Sequence, residues 1–359
     1  IGSWIDGHLA AAHPDDIEHH ETANMELLNL TNEVYIPTTD MDGKMSWGKM
    51  TAITRHDPGD VLYKITTKGG KDVIVTAGKS LLIWDATTHA LKQVYTSDVK
   101  VGDFVPVTMN LPSAPITATH VDMSLFFPKT EYIHGTDFHI AKNAMALAQG
   151  EKFHIPRGWW EKSNGTSFTL PYPSKARFQR VLSGRSKVDH IQPGSIYAYH
   201  AERTDVQIPE RFELNEENGI FIGLFLADGN ADIPSGYVQI TKNDEGVRTF
   251  VKNWFTKMGM KYKESSCDMT LSTVDGTVSN GTSTEVRGFS RLVAQFLTSF
   301  VGHGSEHKHV PDIAFTAPLE FVKGILNGYI SGDGYVSKNG IEITSVSKRM
   351  MDGIAILLS

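Results

Sequence analysis

FIGLFLADG (Phe221 to Gly229) and LNGYISGDG (Leu326 to Gly334) read as the same short helix with the same ending. Each has small residues four apart, Gly223 with Ala227 and Gly328 with Gly332, and each closes on an Asp-Gly pair. Residues at that spacing lie on one helix face, so two such helices can cross with backbones nearly touching. The crossing would bring Asp228 and Asp333 to one place. Two carboxylates held together form a hard-oxygen site for a divalent metal, and such sites hydrolyse phosphodiesters.

The two stretches belong to longer repeats. A strand-like GYVQIT (Gly236 to Thr241) follows the first Asp-Gly, and NGIEIT (Asn339 to Thr344) follows the second. Beyond the first strand, Val247, Phe250, Val251, Trp254, Phe255 and Met258 recur at helical spacing. A unit of helix, strand and helix used twice, about a hundred residues apart, predicts a pseudo-twofold domain.

These residues resemble the LAGLIDADG homing endonucleases, through two motifs, their separation, and the strand and helix after each. The resemblance implies an αββαββα-type domain over 206–359 whose second repeat is incomplete. It implies Asp228 and Asp333 as catalytic metal ligands, Mg²⁺ or Mn²⁺ as cofactor, double-stranded DNA with a long target site as partner, and a monomer. KHVPD (Lys308 to Asp312) resembles the family's K-x-I-P block, which makes Lys308 a third catalytic candidate. A lysine there would orient water or stabilise the pentavalent phosphate; the alternative is a surface lysine before a Pro turn. Gln239 and Glu342 hold equivalent places on strands expected to face DNA, and Glu342 is a candidate metal ligand. Either is equally readable as an ordinary strand residue.

The net charge of −7 suits a DNA-binding protein only when it is resolved along the chain. Residues 1–60 hold eleven acids against three bases. Residues 152–187 hold eight bases (Lys152, Arg157, Lys162, Lys175, Arg177, Arg180, Arg185 and Lys187) against Glu161 alone. Phe153, Trp159, Trp160, Phe168, Tyr172 and Phe178 are interleaved with them. Basic and aromatic residues mixed in this way suit a module lying along a phosphate backbone, the alternative being a solvated basic loop. Cys267 is the sole cysteine, which excludes an internal disulfide and a cysteine-based zinc site. An intracellular, reducing compartment and no membrane association are the expectations. The chain starts at Ile1 and stops early in the second repeat, so both ends read as missing material.

The first hundred residues read as β-rich. EVYIP (Glu33 to Pro37), the stretch from Lys44 to His56, VLYKITT (Val61 to Thr67), KDVIVT (Lys71 to Thr76), SLLIWD (Ser80 to Asp85) and VGDFVPV (Val101 to Val107) are the expected strands. Gly69-Gly70 marks a hairpin. VIVTAGKSLLIWD resembles the second conserved block of inteins, and VKVGDFVPV the strand that follows it. IGSWID resembles the segment shortly after the intein's first strand. The resemblance implies a mostly-β, horseshoe-like Hint splicing domain over 1–110, joined through 111–205, a linker and basic DNA-recognition region, to the endonuclease. The fold expected is thus α+β and multidomain. Thr76 matches the block's Thr, and Lys79 stands where the family has a His; both are candidate splicing residues, and host-protein exteins are implied partners. A His passes protons near neutral pH while a Lys normally stays charged, so Lys79 departs from the pattern.

AHPDDIEHH (Ala12 to His20) has the look of a zinc cluster, but its place before a β-rich region favours a solvated acidic loop or short helix. The function expected is an intein-embedded homing endonuclease making a site-specific double-strand break. The alternatives are a splicing intein with a relic nuclease and a maturase-like nucleic-acid binder.

Overall fold

The computed structural model describes residues 2–21, 24–78, 80–115, 117–127, 133–135, 195–198, 207–272 and 278–359. Packing divides the chain into two units, Ile1–Ile116 and Thr117–Leu358.

The first unit opens with helix α1 (Gly2–Ala11), over the IGSWID stretch. AHPDDIEHH becomes a 3₁₀ turn (Pro14–Asp16) followed by strand β1 (Ile17–His20). Strands β2 (Met25–Thr39) and β3 (Met45–His56) complete an antiparallel sheet in the order β1-β2-β3. Two hairpins follow, β4 (Leu62–Thr66) with β5 (Asp72–Thr76), then β6 (Ser80–Asp85) with β7 (Ala90–Tyr95). Gly70, at φ +80, closes the first of them, a conformation that glycine adopts without steric cost. Five of the six expected strands form. The sixth, VGDFVPV, makes a turn at Val101 and then extended chain outside any ladder. A hydrogen bond from Trp84 N–H to the Phe104 carbonyl at 2.8 Å ties it to β6. Val101, Phe104 and Val107 are exposed, so this run lacks the buried face that would hold it in a sheet. The buried core of the described part is small: Leu9, Leu28 and Ile53.

The second unit is built around one large core. Helix α2 (Glu216–Asp228) begins at Asn215, whose side chain caps it by accepting from Asn218 N–H. Strands β13 (Gly229–Asp232) and β14 (Tyr237–Thr241), helix α3 (Glu245–Lys257), strands β15 (Lys261–Ser272) and β16 (Val278–Phe289), and helix α4 (Arg291–Val301) follow. That is one αββαββα unit, and its strands form a single antiparallel sheet in the order β13-β14-β16-β15. The second repeat runs as helix α5 (Leu319–Asp333), the short hairpin β17 (Tyr335–Ser337) with β18 (Gly340–Glu342), and helix α6 (Lys348–Leu357).

Alternation in β14 fixes which face of the sheet is covered. Val238 and Ile240 are buried, as is Val286 beside them on β16, while Tyr237, Gln239 and Thr241 point the other way. Helix α3 lays Val251, Trp254 and Phe255 into the core. Trp254 stacks on Phe221 with ring centroids 3.4 Å apart, and its indole N–H donates to Asn218 Oδ1 at 2.8 Å. Parts of the expected linker join this core. His120–Asp122 (β8) pairs with Arg211–Glu213 (β12), and Ser195–Ala198 (β10) lies between Ile133–Gly135 (β9) and Ile208–Pro209 (β11). Met123, Phe127 and Ile196 are buried with Phe212, Phe296 and Phe300.

Candidate active site

Helices α2 and α5 cross at the small residues. A Cβ built on Gly223 would sit 2.2 Å from the Ile325 carbonyl oxygen, and one on Gly328 would sit 2.1 Å from that of Ile220. The stripe extends a turn further back than the motifs: at Gly219 and Gly324 a Cβ would meet the carbonyls of Phe321 and Glu216 at 2.3 and 2.4 Å. A Cβ on Gly332 would meet the Ala227 Cβ at 2.2 Å. The backbones are thus in contact over about three turns of each helix.

Both helices end in the same way. Gly229 (φ −86, ψ 152) and Gly334 (φ −80, ψ 138) leave directly as extended chain. They are therefore not left-handed C-caps. Glycine is needed there because a Cβ would lie 2.5 Å from the carbonyl oxygen of Phe225 or of Ile330. The chain turns straight from helix into strand, and the preceding aspartates lie close enough at the crossing for the Asp228 charge to act on Asp333.

Asp228 is half-buried and Asp333 more open. Partial burial, and then the Asp228 charge, push the Asp333 carboxyl above its ordinary value; Lys242 and Lys308 act against that shift. Two like charges in one site are arranged to welcome a cation. Among the described residues, no three His, Cys, Asp or Glu side chains converge as a metal-ligating group. The donors on offer are the two carboxylates and the carbonyls around the helix ends. They fit a divalent cation in kind, being hard oxygens. They also fit in place, because a cation already sits among them: the Lys242 ammonium donates to Asp228 Oδ2 at 2.9 Å and to the Gly332 carbonyl at 2.6 Å.

Lys308 is not a surface lysine. It is 6% exposed and reaches under the crossing. Its ammonium donates to the carbonyls of Phe225 (2.7 Å), Leu226 (3.2 Å) and Gly229 (2.7 Å). A lysine has three N–H donors, so all are engaged at the α2 C-terminus, where a cation complements the helix dipole. Its own carbonyl accepts from Ser347 Oγ at 2.7 Å, which ties it to the cap of α6. Burial pulls its pKa from 10.5 to about 8, against the charges of Asp333 and Asp228.

Gln239 lies half-buried on the sheet face opposite Val238 and Ile240, which no described helix covers. It accepts from Arg287 Nε at 2.9 Å and donates to Thr241 Oγ1 at 3.0 Å. Arg287 also pairs with Glu285 at 2.8 Å and lies over the Tyr237 ring at 4.9 Å. Glu342 is exposed on β18, opposite Tyr335. Thr76 is half-buried at the end of β5, in the first unit. Lys79, Arg157, Lys175, Arg177, Arg180, Arg185 and Lys187 lie outside the described residues. The sequence reading missed Lys242 and Arg287. Lys242 closes the run Gln239-Ile240-Thr241-Lys242, whose second-repeat counterpart is Glu342-Ile343-Thr344-Ser345; a basic residue ending a motif strand was the available signal.

Residues 320–359 match the family model of a LAGLIDADG-like domain. Over 338 residues the chain is 26% identical to the DNA-directed RNA polymerase subunit Rpo1C of Methanocaldococcus jannaschii, covering 94% of this chain and 31% of that protein. Over 188 residues it is 26% identical to the ATP-dependent DNA helicase Hel308 of Thermococcus kodakarensis, covering 50% of this chain and 15% of that protein. Over 158 residues it is 28% identical to the probable translation initiation factor IF-2 of Methanocaldococcus jannaschii, covering 43% of this chain and 12% of that protein. The chain thus spans less than a third of the length of each of these relatives. A solved structure of variants of the homing endonuclease I-DmoI is similar at 13% identity and a TM-score of 0.29, covering 40% of this chain and 76% of that one. A score that low carries no weight.

Proposed function

We propose that this chain is a DNA endonuclease of the LAGLIDADG type, carried inside a protein-splicing element. The observation that supports the nuclease best is the convergence of both motif aspartates at one crossing, with the Asp333 carboxyl raised by burial and by Asp228. Asp228 and Asp333 would hold the divalent metal, Mg²⁺ or Mn²⁺. When bound, the metal neutralises charge on the scissile phosphate and lowers the pKa of an attacking water. Lys308 keeps the end of α2, and so Asp228, fixed in position. The uncovered sheet face with Gln239 and Arg287 is the surface offered to base edges of a double-stranded DNA target, and the basic stretch at 152–187 the one offered to phosphates. The protein would act as a monomer, because both aspartates come from one chain.

The splicing half rests on the block around Thr76 and on the company the chain keeps. An RNA polymerase subunit, a helicase and a translation initiation factor bear unrelated names, yet each resembles this chain over less than a third of its length. A segment shared by otherwise unrelated proteins behaves as an inserted element, with the host's flanking parts as exteins.

The deciding experiment incubates the purified protein with duplex DNA carrying the uninterrupted host-gene junction, with and without Mg²⁺. Cleavage that requires both the metal and the two aspartates supports the nuclease; no cleavage at any junction sinks it. For splicing, the segment expressed within its full-length host protein should excise itself, Thr76→Ala should slow its first acyl shift, and Lys79→His tests the position that departs from the pattern. A full-length host protein that never releases the segment would leave a stand-alone nuclease.

A further inference from the structure

We propose that Lys242 is a built-in counterion of the aspartate pair, holding a cation's position at the helix crossing until a divalent metal displaces it. The inference rests on reading Asp228 and Asp333 as the metal-binding pair.

Lys242 touches both repeats with one ammonium. It donates to a carboxylate oxygen of the first motif, Asp228 Oδ2, and to a main-chain carbonyl of the second, that of Gly332. A carboxylate and a carbonyl at these distances make an oxygen cradle for any cation. The two side chains are about equally accessible, 25% for Lys242 and 26% for Asp228, so the pair is open enough for water and ions to exchange. The main chain beneath it is held firmly. Lys242 N–H donates to the Thr284 carbonyl at 2.8 Å, and Asn243 clasps β16 by accepting from Thr284 N–H and donating to the Thr282 carbonyl. The stem is anchored while the charged head stands at the solvent edge.

Lys308 provides the contrast. It is buried and gives all three donors to carbonyls, so it cannot leave without stranding polar groups. Of the two lysines at the site, one is locked in the frame and one is exchangeable. The second repeat has Ser345 where the first has Lys242, so among the described residues one exchangeable ammonium serves both aspartates. Without it, only the buried Lys308 would offset the Asp228 charge felt by Asp333 whenever no metal is bound, and like charges in one site repel.

The test is a Mn²⁺ titration of the full chain by calorimetry without DNA, alongside thermal melting in EDTA, for wild type, Lys242→Met, Lys242→Arg, Asp228→Asn and Asp333→Asn. Lys242→Met should bind Mn²⁺ about fivefold tighter, the worth of a partly exposed ion pair that no longer competes. It should melt below wild type in EDTA and close that gap when Mn²⁺ saturates. Lys242→Arg keeps the charge and should track wild type in both readouts. Where the Met variant unfolds below the titration temperature, Lys242→Gln takes its place. Mn²⁺ binding by a folded Met or Gln variant that is unchanged or weaker overturns the proposal. If wild-type binding depends on the aspartates and the variant is no different, only the counterion role falls. If wild-type binding survives loss of either aspartate, or if no variant binds Mn²⁺, the metal reading falls and takes this inference with it.

Discussion

Helix α2 ends at Asp228, runs into β13 and β14, and meets Lys242 at the end of β14; helix α5 ends at Asp333, runs into β17 and β18, and meets Ser345 at the matching place. Their steric features match closely: glycines along the contact, an aspartate, then a glycine that turns the chain directly into a strand. Their electrostatics do not. Lys308 lies under the end of α2, and Lys242 beside its aspartate, while Asp333 carries the raised carboxyl. The difference separates two kinds of constraint. Close approach must be satisfied on both helices, because either Cβ would block it. Charge need be balanced only once where the two ends act on each other, as the Asp228 charge acts on Asp333.

Sharing is the part of this comparison with the largest expected effect. On the proposed nuclease reading, Asp228→Asn and Asp333→Asn should each lower DNA cleavage by about a thousandfold, since losing one ligand of a shared metal would remove several kcal/mol of charge stabilisation. Gel shifts in Ca²⁺ should show binding within a few fold of wild type. If one variant cuts almost normally, the two halves do not share a site.

Lys308 tests whether the frame under α2 is as electrostatic as its geometry says. Its folded pKa is about 8 and its ordinary value 10.5, so between these the unfolded chain binds more protons. Stability should therefore rise as pH climbs through that window, by about 3 kcal/mol from this group alone. Below about pH 8 the lysine is protonated in both states and its cost is fully present. Lys308→Met removes the rise, which chemical denaturation at pH 7.5, 9 and 10.5 would reveal as a flatter profile than wild type.

A steric comparison comes next. Gly223→Ala and Gly328→Ala put a Cβ into a backbone carbonyl and should each cost about 2 kcal/mol. Gly7→Ala in α1 meets nothing within 4 Å and should instead stabilise the first unit by about 0.5 kcal/mol. Urea denaturation read separately on each unit distinguishes the two; equal effects would deny that the crossing is tight.

The smallest effect concerns the sign of stability at the two aspartates without metal. Asp333 holds its proton to higher pH when folded than when unfolded, so its ionisation costs stability, a loss that grows as pH rises through its raised pKa. Asp333→Asn should thus melt slightly above wild type at neutral pH in EDTA. Asp228→Asn, which breaks the bridge to Lys242, should melt slightly below. Shifts of the same sign would show that the two halves are electrostatically alike.

Much of the fold was legible because it rests on local rules. The Asp-Gly endings, the helical spacing from Val247 to Met258 and the hairpin at Gly70 are each decided by residues near one another. VGDFVPV misled because its composition suits a strand, while strand formation needs a partner edge and a buried face that this run lacks. Helix α1 was missed because no strong apolar period announces it.

The sequence by itself determined that two small-faced helices would cross and that both would carry an aspartate at the end, because a Cβ-free stripe has little other reason to be repeated. KHVPD already pointed to Lys308, but only the tertiary structure decided which oxygen atoms Lys242 and Lys308 contact. Lys242 lies 14 residues from Asp228 and 90 from Gly332, and Lys308 lies 83 residues from the Phe225 carbonyl it caps. No local pattern marks a lysine as buried or bridging. That depends on where a long flexible side chain finds oxygen atoms once the backbone around it has closed.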